Sequence, residues 1–216
     1  MAEHLSYDWR NAKEYLEGLL PEDIVRLEAA SAKLSTQPTI GPSVAQLVDV
    51  MILATRPKRV LEIGTSAGYA AIAMGRALQQ VGGKLTTIEI DPRIAACAED
   101  NIHQAGLDDV VEVVIDDANR VLAGMTEPFG LILQDGSKDD YLRMLPRLLE
   151  LLEPNGLLVT DDVLFPVMDL PENVKPYQYA LTLYNGALQE KPNLHTVWLP
   201  IGDGVAVSVK ISAKPS

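Results

Sequence analysis

The chain has 216 residues, 47% hydrophobic and 22% charged, which suits one soluble folded domain with a full core. Acidic residues outnumber basic ones by 30 to 18, and a net charge of −12 repels phosphate backbones, so nucleic acid is excluded as a partner. No apolar run reaches the about 18 residues of a membrane span, MAEHLSYDWR lacks signal-peptide grammar, and Cys97 is the only cysteine, so a reduced, cytoplasmic protein without disulfides or thiolate metal clusters is expected.

Residues 1–40 read as helical without a strand, an N-terminal cap or oligomer contact ahead of a domain over 41–216. Val44, Leu47, Val48, Met51 and Ile52 then form one apolar helical stripe. KRVLEIG (58–64) is a strand broken by Gly64, and GYAAIAMGRALQQ (68–80) is a helix ended by Gly82-Gly83. KLTTIEI (84–90) is a second strand, with Pro92 suited to the first turn of the next helix. VVEVVI (110–115) and LILQ (131–134) are the third and fourth. Tyr141, Met144, Leu145, Leu148, Leu149 and Leu152 make another helical stripe, closed by Pro154-Asn155-Gly156. LLVT (157–160) is the fifth strand, and 163–177 is a Pro-rich loop over the sheet edge. A helix at about 178–190 leads into HTVWLPIGDGVAVSVKI, two strands about a Gly-Asp-Gly turn. Strands alternating with helices mean right-handed crossovers and a mostly parallel sheet, to which the hairpin adds one antiparallel strand. The fold is therefore α/β, and ligands belong at the carboxyl ends of the strands.

Three features fall at those ends. Glu62-x-Gly64-x-x-x-Gly68 is a tight turn that lets a ligand approach the backbone, and Glu62 favours an ammonium or sulfonium there. Glu89, about twenty residues beyond the glycines, sits where a carboxylate accepts bonds from ribose hydroxyls. Asp116-Asp117-Ala118 could read an adenine edge. A ligand with an amino acid at one end and a nucleoside at the other is S-adenosylmethionine. A nicotinamide oxidoreductase is disfavoured by Glu62 and by the glycine spacing, which is not G-x-G-x-x-G.

With these stretches in place, RVLEIGTSAGYAA, LTTIEIDP, LILQDGSKDDY, GLLVTDDVLFP and LPIGDGVAVSVK resemble the class I S-adenosylmethionine-dependent O-methyltransferases. The likeness is to the metal-dependent branch of catechol and caffeoyl-CoA O-methyltransferases, and it runs from about Ile40 to Lys210. It implies a Rossmann-like, doubly wound, seven-stranded sheet with a reversed C-terminal strand. It also implies a cofactor site at Glu62, Gly64, Gly68, Tyr69, Glu89, Asp117, Ala118 and Asp135, and a homodimer.

Asp135 ends strand four and the Asp161-Asp162 pair ends strand five, so a hard divalent cation could bridge them: Mg²⁺, or Mn²⁺ or Ca²⁺. In the resembling family the corresponding ligands are Asp, Asp and Asn; here the Asn place is taken by Asp162. Lys138 matches the family's general base, and a cation beside it should lower its pKa. Together these residues imply a metal-assisted O-methyltransferase acting on a small catechol-like or vicinal-hydroxyl acceptor. The alternatives are a metal-independent small-molecule methyltransferase on the same fold and a non-catalytic S-adenosylmethionine-binding subunit. Asn185 matches a residue near the family's substrate, whereas Asp139 and Asp140 read as helix N-caps. Phe165 and Trp198 are core or substrate-flanking, and Tyr7 and Trp9 are candidates to fold over the acceptor. Cys97 and the three histidines carry no assigned chemistry.

Overall fold

The computed structural model describes residues 39–211 and, ahead of them, 14–16, 18, 19, 22, 25 and 29. The proposed cap over 1–40 lies almost wholly outside that set, as do Tyr7 and Trp9. Among the described residues no helix is long and apolar enough to cross a membrane.

Helix α1 (Gly41–Thr55) buries Val44, Val48 and Ile52 at four-residue spacing and stops at Arg56, whose φ of 51° is left-handed. Strand β1 (Arg59–Ile63) leads through Gly68 into α2 (Tyr69–Val81), which ends on Gly82 with its N–H on the Leu78 carbonyl. Strand β2 (Lys84–Glu89) is followed by α3 (Pro92–Gln104), capped by the Asp91 carboxylate on the Arg93 N–H at 2.8 Å. Next come β3 (Val111–Ile115), α4 (Ala118–Gly124), β4 (Phe129–Gln134), α5 (Tyr141–Leu151) and β5 (Leu152–Thr160). After a loop, α6 (Pro176–Gln189) precedes the hairpin of β6 (Leu194–Leu199) and β7 (Val205–Lys210).

The sheet order is β3-β2-β1-β4-β5-β7-β6. Strands β1 to β5 pair in parallel, and β7 runs antiparallel between β5 and β6. This is the seven-stranded sheet with a reversed last strand that the resemblance implies. Its sidedness follows from the period-two alternation of each strand. Val60, Leu85, Leu131, Leu133 and Val159 face α1 and α2, while Leu61, Ile88, Ile132 and Leu158 face α5 and α6. Each such Leu or Ile, fully buried, contributes about 1.5–3 kcal/mol. The strand order reverses between β1 and β4, which opens a crevice above their carboxyl ends.

One boundary differs from expectation. Pro154-Asn155-Gly156 does not separate helix from strand: β5 begins at Leu152, paired with Phe129, and the register slips before Leu131 meets Leu157. The irregularity absorbs the turn residues inside the strand, with Asn155 at a left-handed φ of 63°.

Candidate active site

The backbone ladder continues one residue past the strands and thereby sets the site. The Gly64 N–H bonds the Ile88 carbonyl at 3.0 Å, Asp135 that of Ile63 at 3.0 Å, Asp116 that of Glu89 at 3.1 Å and Asp161 that of Gln134 at 3.2 Å. The ends of β1, β3, β4 and β5 therefore present these residues along one edge of the sheet. Gly64 has φ +95°, and a Cβ there would stand 2.6 Å from the Asp135 carbonyl oxygen. Only glycine lets β1 and β4 close up at this point.

Above the strand ends lies one cavity of about 490 Å³. Gly64, Glu89, Asp117, Ala118, Asp135, Lys138, Asp161 and Asp162 all line it. At its nucleoside end Glu89 is held rigidly: Oε2 accepts from the Ser66 N–H, and Oε1 from the N–H groups of Ile90 and Asp91, each at 3.0 Å. Asp117 caps α4 through the Arg120 N–H at 3.2 Å. Glu62, Gly68 and Tyr69 stand behind this wall and do not line the cavity. Gly68 turns the chain with φ +86° and packs on Ala98, while Tyr69 is buried in the core. Glu62 is fully buried beneath the turn, its Oε2 bonded by Thr87 Oγ1 at 2.6 Å and its Oε1 without a donor. Burial pushes its carboxyl up to about 8.

At the other end, one oxygen each from Asp135, Asp161 and Asp162 lie within 4.8 Å of one another. Burial, with repulsion from Asp162, raises Asp135 to about 6 against the pull of Lys138. Burial and then its two carboxylate neighbours hold Asp161 well above the usual range. Its Oδ1 is buried without a hydrogen-bond donor. Lys138 Nζ bridges Asp135 Oδ1 at 3.0 Å and Asp162 Oδ2 at 2.5 Å, 5.3 Å above the Tyr141 ring. Burial pulls the ammonium down, but Asp135, Tyr141 and Asp162 outweigh it, and Lys138 is held well above its ordinary value. A lysine lowered toward neutrality thus requires a second cation set against these same carboxylates. Three hard oxygen donors converging within this span, one of them unsatisfied, are the donor set a divalent cation of the Mg²⁺ class takes.

The same cavity is also lined by Met144, Phe165, Val174 and Tyr177, and by Asp203 and Thr39. Of these, Phe165, Val174 and Tyr177 read in the sequence as part of the Pro-rich loop over 163–177, and Met144 as part of a helical stripe. Asp203 was legible in principle, because the Gly-Asp-Gly turn holds it by bonding its carbonyl to the Leu164 N–H at 3.0 Å. Trp198 is 39% exposed on β6, away from the cavity. Asn185 donates to the Val163 carbonyl at 2.8 Å, tethering the chain just past Asp162 without lining the cavity. Asp140 takes the N-cap position of α5, as expected, but its side chain makes no capping bond, and Asp139 lies inside the preceding 3₁₀ turn, Lys138–Asp140. The Asp140 carboxylate pairs with Arg143 at 2.5 Å instead.

Residues 13–211 match the family model described as O-methyltransferase. The chain is 32% identical over 173 residues to a catechol O-methyltransferase of Niastella koreensis, covering 76% of this chain and 78% of that one. It is 28% identical over 206 residues to caffeoyl-CoA O-methyltransferase 2 of Petunia hybrida, covering 89% and 85%. The SAH-bound methyltransferase PaMTH1 of Podospora anserina shares its fold, with a TM-score of 0.83 at 24% identity over 99% of this chain and 100% of that one. A model matched over most of the chain, and the family's fold beneath it, lead to one assignment: the chain belongs to the S-adenosylmethionine-dependent O-methyltransferases.

Proposed function

We propose that the protein methylates a hydroxyl of a small catechol-like acceptor, with Asp135, Asp161 and Asp162 holding a divalent cation beside the transferred methyl group. The observation that carries this reading is the convergence of three carboxylates at the cofactor crevice, one with an unsatisfied buried oxygen. A bound cation would lower the pKa of an acceptor hydroxyl and orient a vicinal pair.

The chain's own groups divide the remaining work. Glu89, fixed by three backbone N–H groups, presents its carboxylate to ribose hydroxyls, and Asp117 with Ala118 faces the adenine. Gly64 leaves the backbone bare for the methionine portion. Met144, Phe165, Val174 and Tyr177 exclude water and press a flat ring into place, which supplies the alignment that in-line methyl transfer requires. Lys138 Nζ is the group placed to take the hydroxyl proton, provided the carboxylates' hold on it is loosened. Eight carboxylates and a single lysine line the cavity among the described residues. That balance favours an uncharged acceptor over one bearing phosphates, since like charges meeting in a cleft repel.

The test is methyl transfer from S-adenosylmethionine to catechol in Mg²⁺, repeated after EDTA. Activity that EDTA abolishes and Mg²⁺ restores supports the reading; full activity in chelator removes the metal. One observation favours that second outcome: Lys138 already bridges Asp135 and Asp162, the part a metal would play.

A further inference from the structure

Gln134 is the one polar residue in β4 (FGLILQ), and it is fully buried. It is the register partner of Thr160, and each immediately precedes a carboxylate of the site, Asp135 and Asp161. A buried amide in an apolar strand survives only if its donors and acceptor are used.

They are used in one order. The Tyr141 carbonyl only accepts, so the Gln134 Nε2 faces it at 3.4 Å. Oε1 therefore turns to the Tyr184 hydroxyl at 3.0 Å, which must donate. With its one proton committed, Tyr184 accepts from Thr160 Oγ1 at 2.8 Å. The Gln134 carbonyl closes the set by accepting the Tyr141 hydroxyl at 3.1 Å and the Asp161 N–H at 3.2 Å. Tyr184 and Tyr141 also meet edge to face, with centroids 5.3 Å apart. One side chain thus joins the ends of β4 and β5 to α5 and α6, directly under the carboxylates.

We infer that Gln134, with Tyr184 and Thr160, forms a positioning network that fixes the spacing of Asp135 and Asp161 and so sets the affinity of the divalent site. The inference rests on the metal reading above. None of the three touches the ion or the substrate; they act through the backbone to which the ligands are attached. Buried networks of this kind hold one geometry because every bond depends on its neighbour.

The test uses full-length Tyr184→Phe, Thr160→Val and Thr160→Ser, and measures Mn²⁺ binding by electron paramagnetic resonance without acceptor. S-adenosylhomocysteine affinity and melting temperature are measured beside it. Tyr184→Phe removes one hydroxyl and keeps the ring packing, so it should fold; Thr160→Val is a second, independent break. Both should weaken Mn²⁺ about tenfold, the lower end of what outer-shell changes cost, and leave S-adenosylhomocysteine affinity unchanged. Thr160→Ser, which keeps the hydroxyl, should restore Mn²⁺ binding. Wild-type protein that binds Mn²⁺, with folded variants that bind it equally well, overturns the network's role alone. Variants that lose metal and S-adenosylhomocysteine affinity in equal measure overturn it too, because the effect would then be global. Wild-type protein that binds no Mn²⁺ overturns the metal reading and this inference together.

Discussion

Replacing Glu62 with glutamine should reverse the order of stability between mildly acid and alkaline solution. Burial, opposed by the Thr87 hydrogen bond and aided by Asp135 and Glu89, moves the Glu62 carboxyl from 4.5 to about 8. The folded protein therefore keeps a proton that the unfolded chain releases. The stabilisation linked to that proton is complete below pH 4.5 and is lost as the pH climbs to about 8. At ~1.4 kcal/mol per unit, the interval amounts to roughly 5 kcal/mol. Glutamine keeps the shape and the acceptor for Thr87 but cannot ionise. Its amide nitrogen would sit where Oε1 has no partner, a pH-independent cost of about 1–3 kcal/mol. Glu62→Gln should thus be less stable than wild type near pH 5 and more stable near pH 9. Urea unfolding of both proteins across that range, free of cofactor and metal, measures the difference directly. A difference that stays constant with pH would mean that Glu62 remains ionised and solvated, which refutes the burial argument.

Gly64→Ala forces φ +95° on a side chain and sets its Cβ 2.6 Å from the Asp135 carbonyl; a loss of more than about 2 kcal/mol in urea unfolding is expected. Lys138→Met removes the cation between Asp135 and Asp162 while keeping length; turnover should fall about 10²–10⁴-fold with S-adenosylmethionine affinity retained by calorimetry. Asp161→Asn replaces a buried carboxyl held well above its usual range, so in EDTA the variant should melt higher than wild type, by more at alkaline than at acid pH. The same variant should bind Mn²⁺ more weakly, and unaltered binding would remove Asp161 from the ligand set.

The sheet was legible because its signals are local. Apolar strands of five to nine residues alternate with helices whose ends carry Gly82 and Pro92, and each of these does locally what its chemistry predicts. Asp135, Asp161 and Asp162 were legible as a group because strand ends in a parallel sheet lie together whatever the connecting loops do. What escaped was relational. Nothing local says that Lys138 reaches both Asp135 and Asp162, or that Asp140, at the N-cap of α5, turns its carboxylate to Arg143 and not to the helix N–H groups. Pro154-Asn155-Gly156 carries turn chemistry yet lies within β5, because pairing with β4 resumes beyond it. Gln134 did leave a signal, a lone polar side chain closing an apolar strand, but its partners are contributed by β5, α5 and α6. The turn residues Glu62, Gly68 and Tyr69 show the reverse limit: a motif marks a place in the chain, while which of its residues line the cavity depends on which way the turn folds.

The most direct test of the account is a crystal grown with S-adenosylhomocysteine and Mn²⁺, measured at the manganese edge. An anomalous peak is expected among the carboxylate oxygens of Asp135, Asp161 and Asp162, with Lys138 displaced from its bridge. A map with no peak there, and with Lys138 still joining Asp135 to Asp162, would contradict it.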